Sequence, residues 1–339
     1  MTEDSNDVVT IRHGASGTYA KVHLYGATVI SFCTGGGDVG VGDDKSKEED
    51  EEERLFVSSK AKLDGSKAIR GGIPLVFPIF GPPAEAQSTM PQHGFARCNK
   101  WRLESNEDHG QGGGVAIFLL DFSSDVLTGC GQGNPWNQTQ AKQDGTDCRL
   151  SYEVRVLPNE LITTLTVTNT GTSSFAFNTL LHTYLRLPRN TTVNQARVHG
   201  LGGYAITDKV TGDSGHVQSY DDDVALTQPG QELDCVYIHP EDHPVLHAKI
   251  FVDSWSHYFQ IEAAGQVDDQ VAPVSCVVWN PGKSKAAAMS DMGDGDEYQQ
   301  MLCVEPGLLG HQPLLAPGAT ARLSQTLVIV PVEELSKEG

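Results

Sequence analysis

Alternation is the clearest signal in the middle of this chain. In RLSYEVRVL (Arg149 to Leu157) and LITTLTVTN (Leu161 to Asn169), apolar residues recur at every second position. That is the period of a strand with one buried face. Pro158-Asn159-Glu160 between them carries turn chemistry, so the two runs predict a hairpin. Short β-branched and aromatic runs predict further strands at Val8 to Arg12, Tyr19 to Leu24, Leu55 to Val57, Trp101 to Asn106 and Val115 to Phe122. YGATVISF (Tyr25 to Phe32) belongs with them. The C-terminal half adds Val193 to Tyr204, Val236 to Ile238, Ala248 to Val252 and His257 to Glu262. Val274 to Trp279, Met301 to Val304 and Ala321 to Val330 complete the series. SSFAFNTLLHTYLRLP (Ser173 to Pro188) leaves a helical reading open through its leucines, but it lacks start and stop caps and reads better as strand. The expected fold is all-β, a large sandwich. No proline-rich or glycine/serine linker and no internal repeat divides it, which predicts one domain over 1–339.

Three stretches break the pattern. Gly35 to Glu53 is glycine-rich and then acidic, with eight acids against two lysines from Asp43 to Glu53. We read the region at about 35–54 as a solvated surface insertion. Ser123 to Asp147, rich in Gly, Gln and Asn, reads as a surface excursion. The third, Lys67 to Trp101, holds Gly71-Gly72, repeated prolines and the polar residues Arg70, Gln92, His93 and Arg97 in an apolar background. Proline removes a ladder donor and glycine opens backbone conformations closed to other residues, so this is no ordinary core strand. Its polar residues suit an anionic, hydroxyl-rich ligand, and the segment is expected to wall a sugar-phosphate pocket.

Composition narrows the function. Hydrophobic residues at 38% suffice for a sizeable core, and no apolar run is long enough to span a membrane. A net charge of −20 argues against nucleic acid, whose phosphates it repels. The seven cysteines are never in CxxC spacing, and the N-terminus MTEDSNDVVTIRHG has no apolar signal region. Both point to a reduced, cytoplasmic protein. There is no P-loop, no GxGxxG, no HExxH and no GxSxG, so neither cofactor nor metal is expected. His239, His243 and His247 have helical spacing, but Pro240 and Pro244 break any helix and leave a loop.

Three residues stand out. His93 lies in PQHGFAR, His182 in the charge-poor NTLLHTYLRL, and Glu305 ends the apolar run MLCV before Pro306-Gly307, where a strand meets a turn. Singly, each is more often a satisfied core or surface residue. Together a carboxylate and two imidazoles can move protons near neutral pH.

RGGIPLVFP, PQHGFAR, LLHTYLRL, VVWNP and CVEPG, in this order from Arg70 to Gly307, resemble the glucose-6-phosphate 1-epimerases of the aldose 1-epimerase-like superfamily. The resemblance implies a galactose-mutarotase-type β-supersandwich with sugar bound on a large concave antiparallel sheet. It implies that His182 is the general acid and Glu305 the general base. Arg70, Gln92 and Arg97 match substrate-binding positions, His93 a sugar-contacting histidine and, more loosely, Asp208 an acid that binds the sugar. The expected ligand is a hexose 6-phosphate and the expected assembly a monomer. Mutual proximity would hold Glu305 ionised and His182 protonated. The acidic insertion and the small-residue run Gly282 to Ala288 depart from the family pattern. Two alternatives remain: a mutarotase for unphosphorylated aldoses, and a non-catalytic sugar-phosphate-binding protein.

Overall fold

In the computed structural model the hairpin forms as Cys148–Leu157 against Glu160–Asn169, with Leu157 opposite Glu160. The structure describes residues 7–35, 52–83, 90–123, 146–226, 228–240, 244–310 and 312–333. Most of the acidic insertion, residues 124–145 of the Ser123 to Asp147 excursion, and His243 lie outside them.

The hairpin is part of a ten-stranded antiparallel sheet that also contains Thr320–Pro331 and His257–Val267. Along its strands burial alternates residue by residue, and the inward side chains, among them Tyr152, Leu165, Phe259 and Leu327, are fully buried. This back sheet faces an eight-stranded sheet across one continuous core.

The eight-stranded sheet behaves differently. Its central strands, Ser275–Asn280 and Met301–Leu308, are buried at every position. Cys276, Val278, Leu302 and Val304 face the shared core, while Val277, Trp279, Met301 and Cys303 belong to a second apolar cluster on the opposite face. A strand covered on both sides reads as a near-continuous apolar run rather than an alternation. The Ser173 to Pro188 stretch joins this sheet as strands: Thr179–Leu181 and Tyr184–Arg186 both pair with Met301–Leu308. Glu305 therefore does not end a strand, as its proline and glycine neighbours suggested. The strand runs on through Pro306 and Gly307 to Leu308.

The Lys67 to Trp101 segment supplies the sheet's edge strand, Leu75–Val76, which pairs with Thr179–Leu181. Gly71 and Gly72 have φ of +119° and +70°. A Cβ at either would lie 2.3 Å from the Phe56 carbonyl or 2.0 Å from that of Val29, so only glycine allows the approach. The backbone is laced there by Gly72 N–H to Phe56 O and Ile73 N–H to Val29 O, at 2.7 and 2.9 Å. Arg70 is thereby anchored at the sheet's edge. The end of the acidic insertion is structural too: Glu53 accepts the backbone N–H groups of Phe32 and Leu55 at 2.8 and 2.9 Å. The small-residue run Gly282–Ala288 forms a short helix.

Candidate active site

Register brings His182 and Glu305 together. Leu180 pairs with Gly307 and Tyr184 with Cys303, so His182 sits directly across from Glu305 on the neighbouring antiparallel strand. Cross-strand partners share a face, and here it is the outer face carrying Val277 and Trp279. His182 Nδ1 and Glu305 Oε1 are 3.2 Å apart, with side chains 8% and 2% exposed. They are in ion-pair range but misaligned, and Nδ1 makes no hydrogen bond.

The pair forms the floor of a cavity of about 330 Å³. One wall brings Arg70, Gln92, His93 and Arg97, and the sheet brings Lys209, Asp234 and Trp279. Four of the five substrate-binding positions expected from the sequence thus line one cavity with His182 and Glu305. Asp208 is the exception. Its Oδ1 accepts the N–H groups of Val210 and Thr211 at 2.7 and 3.1 Å, closing a turn. Asp208 pairs with Cys235, which faces the core, so its strand position points away from the cavity. A shift of one residue changes sheet face. The acid that does line the cavity is Asp234, opposite Trp279 on the next strand. Asp234 and Lys209 are what sequence reasoning missed.

The wall has defined polarity. His93, at φ +65°, accepts the Gly81 N–H on Nδ1 at 3.2 Å. Burial, reinforced by Arg97, Lys209 and Arg70, holds its pKa down to about 2. A neutral ring whose Nδ1 accepts must carry its proton on Nε2, making that atom a donor. Arg97 donates to the Gln92 carbonyl at 2.9 Å. Arg70 donates to the Tyr184 hydroxyl at 3.1 Å and pairs at 3.3 Å with Asp291, which Lys67 also holds at 2.9 Å.

Electrostatics run against the expected protonation. Burial depresses the His182 imidazolium well below its ordinary value, helped by His93, Arg97 and Arg70. Burial also raises Glu305 well above the usual carboxylate range, with Asp234 adding and Lys209 and Arg97 opposing. Desolvation thus favours the neutral imidazole and the carboxylic acid over the ion pair. The ion-paired form contains the same number of protons, one internal transfer away.

Cys303 completes a buried trio with His182 and Glu305, the possible ligand atoms lying within 4.8 Å of one another. Burial and Glu305 push its thiol well above the ordinary value.

The family model for aldose 1-epimerase matches residues 7–327. This chain belongs to the aldose 1-epimerase family. Two curated relatives bear the name "Putative glucose-6-phosphate 1-epimerase". One, from Cenchrus ciliaris, is 29% identical over 330 residues, 95% of this chain and 84% of that protein. The other, from Escherichia coli, is 27% identical over 326 residues, covering 96% and 90%. Among solved structures, one described as a putative mutarotase from Salmonella typhimurium superposes with a TM-score of 0.70 at 23% identity, covering 96% of this chain and 92% of that one. The aldose 1-epimerase fold thus extends across nearly the whole chain, in line with the mutarotase-type architecture anticipated from the motifs. One motif residue of this aldose 1-epimerase homologue is purely structural. Asn280 of VVWNP is buried and donates to the carbonyls of Tyr298 and Met301 at 2.9 and 2.8 Å.

Proposed function

We propose that this chain interconverts the α and β anomers of a hexose 6-phosphate, as a glucose-6-phosphate 1-epimerase. The observation that carries the reading is the register-matched His182–Glu305 pair on the floor of a cavity whose wall holds Arg70 and Arg97. From the ion-paired form, Glu305 takes the proton of the anomeric hydroxyl while His182 gives one to the ring oxygen. The C1–O5 bond breaks and C1–O1 becomes a carbonyl. Rotation about C1–C2 presents the other face, and the reverse transfers close the ring and restore both groups. His93 donates from Nε2 to a sugar oxygen.

The guanidinium groups of Arg70 and Arg97 suit the phosphate because they stay charged and match its oxygens as a fork. Lys209 adds positive charge to the same cavity. These cations favour the phosphate ester over a free aldose, and the paired acid and base favour an isomerase over a binding protein. The six described cysteines are all free and buried, which supports work in a reducing compartment such as the cytoplasm. No described helix is long and apolar enough to cross a membrane.

The test follows oxidation of freshly dissolved α-glucose 6-phosphate by a β-specific dehydrogenase. The protein should accelerate oxidation beyond spontaneous anomerisation, and far more than it accelerates mutarotation of free glucose. Equal acceleration of both sugars would remove the phosphate from the reading.

A further inference from the structure

Tyr184 touches both ends of the chemistry. Its hydroxyl receives the Arg70 guanidinium at 3.1 Å, and its ring lies flat on His182, with centroids 4.6 Å apart and planes 12° from parallel. Phe56 backs its ring at 6.5 Å, and Trp279 meets both Tyr184 and His182 edge-on at 5.9 Å. The Arg70 Nε is buried without a hydrogen-bond partner, although the cavity it lines is open to ligand. Bonds to Tyr184 and Asp291 hold the guanidinium in place beside the cavity.

We propose that Tyr184 is a positioning residue that couples the phosphate end of the cavity to the acid His182, so that the substrate's phosphate promotes proton transfer as well as binding. This rests on reading the Arg70–Arg97 end as the phosphate site. An imidazolium stacked on a phenol ring is stabilised by the ring's π electrons. Arg70, by donating to the phenol oxygen, withdraws electron density from that ring and also repels the imidazolium directly. A phosphate dianion on Arg70 offsets both effects. The groups facing His182 fit a selective effect. Arg97 and His93 approach from the wall, Glu305 and Cys303 from the next strand, and Arg70 through Tyr184. Arg70 is among the groups that depress His182, but not among the main influences on Glu305. Occupying it therefore favours the protonated acid without equally disfavouring the ionised base.

The experiment divides the substrate in two. D-xylose is glucose without C6, and phosphite dianion supplies the missing charge in trans. Mutarotation of xylose is followed by polarimetry with and without phosphite, subtracting the anion's own catalysis in enzyme-free blanks. Phosphite should accelerate the enzymic rate at least about tenfold, a fraction of the roughly hundredfold or more that a positioned proton transfer contributes. Tyr184→Phe keeps the stacked ring but removes the acceptor for Arg70. It should reduce that activation ratio, because without phosphite the ring is no longer polarised by Arg70, while KM for the hexose phosphate stays within about twofold. If phosphite competes with glucose 6-phosphate yet leaves xylose turnover unchanged, the coupling is refuted and the phosphate site stands. If it neither competes nor activates, and glucose 6-phosphate is not turned over, the reading of the site falls and the coupling with it. A Tyr184→Phe variant altered only in KM would overturn the role given to Tyr184.

Discussion

The two large sheets solve opposite problems. The ten-stranded back sheet has one covered face, and its hairpin strands alternate between buried and partly exposed positions. Polar residues such as Thr164 and Ser324 sit on its outer face and bond each other at 3.1 Å, where water is close and the cost of error is small. The central strands of the eight-stranded sheet are covered on both faces, yet they and their neighbours hold His182 and Glu305 at 6% and 1% exposure. Burying an ionisable group costs several kcal/mol unless it neutralises, and burial drives both of these groups toward their neutral forms. A strand with polar residues on a wet face is explained by packing alone. A buried strand with a carboxyl facing an imidazole needs another reason, and the proton transfer proposed above supplies one.

The sharpest way to break that contrast is to edit one polar residue in each sheet. Glu305→Gln and His182→Asn should each lower kcat/KM for α-glucose 6-phosphate by about 10²–10⁴, the value of one positioned proton transfer. Thr164→Val on the back sheet should leave it unchanged. A fully active Glu305→Gln enzyme would remove the carboxyl from the mechanism. Next in size is a stability effect with the opposite distribution. Leu327 is fully buried in the back sheet, so Leu327→Ala should lower unfolding free energy by about 2–5 kcal/mol, read from urea denaturation, with kcat/KM of the folded protein preserved.

A smaller effect separates the sheets by pH. The folded His182 pKa is depressed from the ordinary histidine value of 6.5, so below pH 6.5 the unfolded chain takes up a proton that the folded chain refuses. The histidine's contribution to stability therefore falls as pH drops, while that of Glu305, raised by burial, runs the other way in wild type and variant alike. Between pH 7 and pH 5 the wild type should lose about 2 kcal/mol more than His182→Asn does, since each pH unit past the unfolded pKa costs about 1.4 kcal/mol. Parallel urea midpoints for the two proteins would mean that the histidine is not held neutral.

How much of this was legible in the sequence follows the same division. Alternation located the hairpin at Arg149 to Asn169 within a residue at each end, because one wet face writes a period of two into the chain. The doubly covered sheet writes no such period. Thr179–Leu181 and Tyr184–Arg186 appeared only as one ambiguous apolar run, and the strand holding Glu305 seemed to stop at Pro306. The expected strand from Val193 to Tyr204 is a turn followed by Ala196–His199. Arg70, Gln92, His93 and Arg97 were visible as site candidates because glycine and proline mark the wall that carries them. The protonation of His182 and Glu305 was not visible, since it depends on how deeply both are buried.

Asp208 and Asp234 turn that lesson into the finest test. Both are acids near strands of the pocket sheet, and only pairing register separates them: Asp208 faces Cys235 toward the core side, and Asp234 faces Trp279 toward the cavity. Asp234 is raised above the usual carboxylate range by burial, against the pull of Lys209 and Lys285, and Lys285 approaches it at 3.6 Å. A sugar hydroxyl bonded to it would replace lost water, so Asp234→Asn should raise KM about tenfold, the worth of one hydrogen bond to a charged group. Asp208→Asn keeps the oxygen that accepts the Val210 and Thr211 amides, and should change kcat/KM by less than about twofold. Steady-state kinetics on the two variants decide the matter. Were Asp208→Asn the more damaging, the sugar would have to reach the turn beyond this strand's end, and the cavity described by Asp234 and Lys209 would not be the binding site.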